Sequence, residues 1–245
     1  GLAIQSMGQG ATQPVLRGYS GDRFLFTEDG ITGGDLSNTS IDHTVSMDMA
    51  SFSKVRIIRG PEALLYGSNT IGGVIDVSRV IDSESRFKKS SVQAVLGSES
   101  ANKSNFGNLV YYQPINHKNQ FRISLLKRNA GNQISPLGTL DNTSLSNNEI
   151  TGSYTYFGAD YHASFSYEKI AMDYGIPGSL EGHISGVDLN MNKNTQKFIF
   201  HKDITFMGFQ TFDFDQRYIS YDHIESEKGS INPSVTMNQQ ILSLQ

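Results

Sequence analysis

Tyr161-His162-Ala163-Ser164-Phe165-Ser166-Tyr167-Glu168 places Tyr161, Ala163, Phe165 and Tyr167 on one face of an extended chain. His162, Ser164, Ser166 and Glu168 fall on the other. Side chains alternate across a strand with period two, so this stretch predicts a strand with one apolar and one polar face. The same pattern recurs on both sides of it. Ile150, Tyr154 and Tyr156 oppose Thr151, Ser153 and Thr155; Phe121, Ile123 and Leu125 alternate with Arg122 and Ser124; Phe212, Phe214 and Tyr218 oppose Thr211, Asp213, Asp215 and Arg217. Strands are expected at about 91–97, 106–113, 120–129, 149–157, 160–170, 195–204, 207–221 and 236–245. The connection at 158–160 is tight, whereas 129–148 and 173–194 read as long polar loops. Periodicity alone fits a transmembrane barrel and a soluble sandwich equally.

Composition narrows the classes. The 245 residues contain no cysteine, which excludes a disulfide scaffold and cysteine-based zinc or iron–sulfur sites. A net charge of −4 with thinly spread basic residues argues against a nucleic-acid surface. No run approaches the roughly 18 apolar residues of a membrane-spanning helix, a test that an alternating barrel strand escapes. No nucleophile–base arrangement emerges from the spacing, so no enzyme is expected.

Up to residue 80 the chain is different: compact, punctuated by glycine, with short apolar runs. Arg23-Phe24-Leu25-Phe26-Thr27 reads as a strand turned by Glu28-Asp29-Gly30. Lys54-Val55-Arg56-Ile57-Ile58-Arg59 reads as a second, broken by Gly60-Pro61. Glu62 to Tyr66 has room for one helical turn ended by Gly67, and Gly72-Gly73 opens a strand at Val74-Ile75-Asp76-Val77. Residues 1–80 thus form a small mixed α/β unit and residues 81–245 a strand-rich one. An eight-stranded barrel is only wide enough for its own side chains, whereas barrels of about 22 strands hold a plugged lumen. The expectation is that these are the opening strands of a large barrel, and the chain a fragment.

Three blocks carry a resemblance. Gln13-Pro14-Val15-Leu16-Arg17-Gly18-Tyr19, then Arg23 to Gly30, then Val55-Arg56-Ile57-Ile58-Arg59-Gly60-Pro61-Glu62-Ala63-Leu64-Leu65-Tyr66-Gly67-Ser68-Asn69-Thr70-Ile71-Gly72-Gly73-Val74-Ile75-Asp76-Val77 resemble, in order and spacing, the plug domain of TonB-dependent outer-membrane receptors. Two positions depart from it: Glu28 stands where an apolar residue is common, and Asp76 where asparagine is usual. The resemblance implies a 22-stranded antiparallel transmembrane β-barrel filled by the plug, in the outer membrane of a Gram-negative bacterium. It implies import of a scarce nutrient, driven by the TonB–ExbB–ExbD complex, with no catalysis and no cofactor. It also implies a role for Arg17 and Arg59, which look like the plug arginines that pair with barrel-wall glutamates, within a motif that includes Gly18, Gly60, Pro61, Tyr66, Gly67, Gly72 and Gly73. A surface adhesin is the rival reading, but it has no need of the plug blocks.

For the cargo, Gly33 to Asp48 and Tyr174-Gly175-Ile176-Pro177-Gly178 resemble the zinc-uptake branch of these receptors. Asp42 and His43 supply carboxylate and imidazole, which suit zinc, and Glu181 and His183 follow in a later loop. An iron chelate or haem is the alternative cargo.

Overall fold

The computed structural model describes residues 2–6, 8–37, 43–68, 70–78, 86–179, 183–206, 208–227 and 230–244. Two short strands, β1 (Leu2–Ser6) and β2 (Thr12–Leu16), open the chain as an antiparallel hairpin. Strands β3 (Leu25–Glu28), β4 (Ile31–Thr32), β5 (Lys54–Ile58) and β6 (Val74–Ser78) then form one sheet in the order β4-β3-β6-β5. The central pair β3–β6 is parallel and its flanking pairs are antiparallel. A strand in that position is covered on both faces, which explains why Val74, Ile75 and Val77 are all buried.

Asp76 is the charged exception in that run, fully buried and fully engaged. Thr27 Oγ1 and the Gly30 amide donate to its Oδ1 at 2.8 and 2.7 Å. The Arg56 guanidinium donates to Oδ2 through Nε and Nη2 at 3.0 and 2.6 Å. The helical turn expected after Gly60 is a 3-10 helix, Gly60–Tyr66, with Pro61 in its first turn. It lays Ala63 and Tyr66 against Leu25, Ile58 and Val74. Gly73 adopts φ +120, and a Cβ there would stand 2.7 Å from the Ile58 carbonyl, so this position accepts no side chain.

The second unit is a wall of eight antiparallel strands: β7 (Ser91–Glu99), β8 (Ser104–Pro114), β9 (Asn119–Ala130), β12 (Leu145–Phe157), β13 (Tyr161–Ile176), β14 (Val187–Phe206), β15 (Phe209–Glu227) and β16 (Ser230–Leu244). A small hairpin, β10 (Gln133–Ser135) and β11 (Gly138–Leu140), stands between β9 and β12. Two expected loops shrink. The stretch 129–148 contains that hairpin and the start of β12, and 173–194 is mostly strand, with β13 running to Ile176 and β14 starting at Val187. Polarity misled there, because Asp188, Asn190 and Asn192 alternate with Val187, Leu189 and Met191, and those three point inward and are buried. The expected unit boundary at 80/81 lies outside the described residues.

Around the aromatic row the wall is polar inside and apolar outside. Phe121, Tyr154, Phe165 and Phe198 are direct cross-strand neighbours on the outward face of β9, β12, β13 and β14. Tyr154, Phe165 and Phe198 are exposed there. On the opposite face Gln120, Arg122, Ser124, Thr151, Thr155, Ser164, Ser166 and Glu168 are buried. A water-soluble sheet hides its aromatics and shows its serines; a sheet bathed by hydrocarbon does the reverse. No helix among the described residues is long and apolar enough to cross a membrane.

Candidate functional site

The plug unit sits on the inner face of this wall, and charged side chains make the seam. Arg217 of β15 donates through Nη1 to the Glu28 carbonyl at 2.8 Å and is held by Asp215 beside it. Lys197 of β14 reaches Asp29 at 3.0 Å and Asp215 at 3.6 Å. Arg128 of β9 pairs with Asp48, and Asn108 of β8 donates to the Ala50 carbonyl at 2.7 Å. Higher on the wall the inner face turns apolar. Ile170, Met172, Tyr174, Leu189, Met191 and Tyr221 there bury the plug residue Ala11.

Asp35, in the plug loop after β4, is half-buried against this seam. Burial alone raises its pKa, but Lys193 and hydrogen bonds from Ser37 and Ser46 overcome that and hold the carboxyl below its ordinary value. Lys193 Nζ donates to Ser46 Oγ at 3.2 Å, and Ser46 Oγ donates to Asp35 Oδ2 at 2.5 Å. A wall ammonium thus reaches a plug carboxylate through one hydroxyl.

The same plug loop carries His43 to the wall, where it meets two residues of β15. His43 Nε2 lies 3.3 Å from Glu225 Oε1, and His223 Nε2 lies 3.1 Å from the same oxygen. The two imidazole rings stand edge to face with centroids 4.8 Å apart. One ligand atom from each of the three residues lies within 4.8 Å of the others. His43 Nδ1 sits 3.2 Å from the Leu36 carbonyl, which can only accept, so Nδ1–H donates there and the Nε2 side of the ring faces Glu225. His223 Nδ1 is engaged by the Tyr221 hydroxyl at 3.2 Å. Two ligands at about 2.0–2.1 Å from one tetrahedral zinc ion stand about 3.3 Å apart, close to the 3.3 and 3.1 Å from the two Nε2 atoms to Glu225 Oε1.

Tyr174 of β13 braces the loop. Its hydroxyl accepts from the Thr44 amide at 3.2 Å. On the other side Gly10, just before β2, lies against its ring: a Cβ on Gly10 would fall 2.4 Å from the Tyr174 side chain. Gln9 completes this contact, donating to the Gly131 and Thr143 carbonyls at 2.6 and 2.8 Å.

Of the expected metal-binding residues, the structure brings His43 to a donor cluster; Asp42 and Glu181 lie outside the described residues. His183 is exposed and pairs separately with Glu227, Nδ1 to Oε2 at 2.8 Å. His223 and Glu225 went unnoticed in the sequence. Their signal was period-two spacing with Tyr221, which puts all three on the inward face of β15. In the motif, Arg17 and Gly18 form the turn after β2, closed by paired bonds between Leu16 and Tyr19. Arg59 and Gly60 lead into the 3-10 turn that holds Pro61 and Tyr66 and that Gly67 closes. The Gly72 amide bonds the Arg23 carbonyl at 2.9 Å, with Gly73 next to it. Both arginines are exposed, and the seam described above is made by other residues.

The fold is that of a receptor plug seated on barrel strands. Residues 1–74 match the family described as TonB-dependent Receptor Plug Domain. Among curated relatives, a hemin receptor of Yersinia enterocolitica is 41% identical over 81 residues, covering 33% of this chain and 12% of the relative. The vitamin B12 transporter BtuB of Vibrio vulnificus is 32% identical over 104 residues, covering 42% of this chain and 16% of the relative. The chain therefore spans well under a fifth of the length of these relatives. Among solved structures, the copper transporter OprC superposes with a TM-score of 0.79 at 17% identity, covering 99% of this chain and 39% of that one. A siderophore receptor, PirA from Acinetobacter baumannii, gives 0.70 at 13% identity, with 100% and 40% covered. These are named as receptors and transporters.

Proposed function

We propose that this chain is the plug and part of the wall of a TonB-dependent receptor in the outer membrane of a Gram-negative bacterium. It imports a scarce nutrient, with energy delivered by the TonB–ExbB–ExbD complex acting on the plug. The cargo is a divalent metal ion of the zinc class. The observation that carries this reading is the convergence of His43 from the plug and His223 and Glu225 from the wall on one point. Two imidazoles and a carboxylate are a zinc donor set with room for further ligands. A cargo held between plug and wall is released when the plug shifts, which couples binding to transport. An adhesin would have no use for a plug docked on its inner wall. Arg17 and Arg59, exposed on the plug, remain available to glutamates of further wall strands, the role their motif implies.

The test is zinc binding by the purified full-length receptor in detergent, comparing wild type with His43→Ala and Glu225→Ala. Each substitution is expected to weaken binding by more than about tenfold, or about 1.4 kcal/mol. Unchanged affinity in both variants overturns the metal reading, and unchanged uptake of zinc in cells lacking TonB overturns the transport reading.

A further inference from the structure

The outward face of the wall changes character toward one of its ends. The two longest connections, β9 to β12 and β13 to β14, leave from that end, whereas β8–β9, β12–β13 and β14–β15 are joined closely at the other. Outer-membrane barrels send their longer loops outward and keep short turns on the periplasmic side. One outward step beyond the row of Phe165 and Phe198 in this direction stand Tyr167 and Tyr218, both exposed. Their hydroxyls donate to Asn194 and Asn238 at 3.0 and 3.3 Å, one step further still. A phenol with its ring beside apolar neighbours and its hydroxyl on a polar row marks the boundary between hydrocarbon and head groups.

Two lysines stand just past that boundary. Lys169 of β13 lies opposite Ile150 of β12, and Lys127 of β9 lies opposite Asn148, the next outward residue of β12. Lys127, Asn148 and Lys169 are exposed, and among the described residues neither lysine is in an ion pair. Two strand spacings and a two-residue offset put the lysine Cα atoms about 12 Å apart, within the joint reach of two four-carbon stems. The Asn148 amide stands between them as a further donor. The outward carboxylates Asp173 and Asp222 are engaged elsewhere, by Asn190 and Thr236.

On the hydrocarbon side of Lys127 the outward face is notched. Ala94 of β7, Leu109 of β8 and Leu125 of β9 pair in one row, and Leu96, Gly107 and Lys127 in the next. These six residues line a groove of about 300 Å3. It exists because Ala94 and Gly107 lack bulk where their neighbours are leucines; Leu96 leans over Gly107, where a Cβ would stand 2.9 Å from its methyl. A groove lined by methyl groups and capped by an ammonium matches a molecule with an acyl chain below and an anion above.

We propose that Lys127, Asn148 and Lys169 hold the phosphate of a phosphorylated glycolipid of the outer leaflet, of the lipid A class, one of whose acyl chains lies in the Ala94–Gly107–Leu125 groove. The proposal rests on the outer-membrane reading of the wall and is independent of the cargo. A lipid fixed there braces β9, β12 and β13 from outside, the strands whose inner faces carry Arg128 and Tyr174.

The test is native mass spectrometry of the full-length receptor in detergent, titrated with bis-phosphorylated lipid A. Lys127→Gln with Lys169→Gln is expected to weaken binding about tenfold or more, with zinc affinity unchanged as the control for folding. Ala94→Phe, which fills the groove while remaining apolar toward lipid, is expected to weaken it as well. Lipid A stripped of its phosphates and phosphatidylglycerol are both expected to bind wild type about tenfold or more weakly than the phosphorylated glycolipid. The proposal is overturned if the lysine pair can be replaced without loss, or if phosphate-free lipid A binds equally well. Equal binding of phosphatidylglycerol overturns the choice of an outer-leaflet glycolipid. None of these results bears on zinc binding by His43→Ala, so the import reading stands or falls separately.

Discussion

Arg128 of the wall and Asp48 of the plug are joined at two points, Nε to Oδ2 at 2.6 Å and Nη2 to Oδ1 at 3.1 Å. Both side chains are largely shielded, at 16% and 6% exposure, so the pair has lost most of its water. Asp48 also accepts from the Ala50 amide at 3.0 Å, and Arg128 lies 4.1 Å over the Phe106 ring. Removing one partner strands the other. Arg128→Ala is expected to destabilise plug docking by about 3 kcal/mol. Arg128→Lys recovers only part of that, because an ammonium has no planar fork. Urea unfolding followed by tyrosine fluorescence measures both; equal stability of Arg128→Ala and wild type would show that the pair holds nothing.

Asp35 sets the acid response. Its folded pKa lies below the unfolded value of about 3.9, so the unfolded state binds the proton first as pH falls. The stability it contributes is therefore fully present above about pH 4–5 and is lost as pH falls through the depressed folded value. Unfolding measured between pH 7 and pH 2.5 is expected to show this loss in wild type and a flatter profile in Asp35→Asn. Identical slopes would contradict it.

Glu225 and Glu227 of β15 hold separate histidine partners. Glu225→Gln keeps the shape but removes the charge that both Nε2 atoms face, and is expected to weaken zinc binding at the His43 cluster by more than about tenfold. His183→Ala, whose partner is Glu227, is expected to leave that affinity within about twofold. The reverse ranking in a calorimetric titration would relocate the site to the 177–186 loop.

Gly10→Ala forces a methyl into the Tyr174 ring and is expected to cost about 1–3 kcal/mol by overpacking. Tyr174→Phe leaves the buried Thr44 amide without its acceptor, at about 1–3 kcal/mol. Both loosen the β1–β2 hairpin or the His43 loop, and limited proteolysis should cut there first. Wild-type protease resistance in both variants would exclude Tyr174 as a brace.

Phe165→Arg places a charge in the outward aromatic row and is expected to cost about 2–4 kcal/mol for folding into lipid vesicles. Lys169→Arg, outward but beyond the row, should be near neutral. Equal costs would mean that the row does not face hydrocarbon.

Much of this was legible in the order of residues. Period two named the faces of β9, β12, β13 and β15, because a face flip would move every aromatic to the wrong side. The run from Arg59 to Gly73 marked the plug by its resemblance to the family's motif, and the structure adds that Gly73 has no room for a side chain. Two things were hidden. The β1–β2 hairpin is only five residues a side and carries Pro14 inside its ladder, so no local pattern announces it. The site joins His43 to Glu225 across 182 positions, a distance that only the docking of plug on wall can close. Asp42 and His43 attracted notice as neighbours in sequence, whereas the donors that meet are neighbours across a seam.

Tyr174 touches two parts of the plug at once: its ring bears on Gly10 of the opening hairpin, and its hydroxyl holds the loop that carries His43. A pull on residues 2–16 would be felt at the donor cluster through the rim and tip of this one phenol. The wall residue then acts as a fulcrum, with the opening hairpin as the long arm of a lever and the donor loop as the short one.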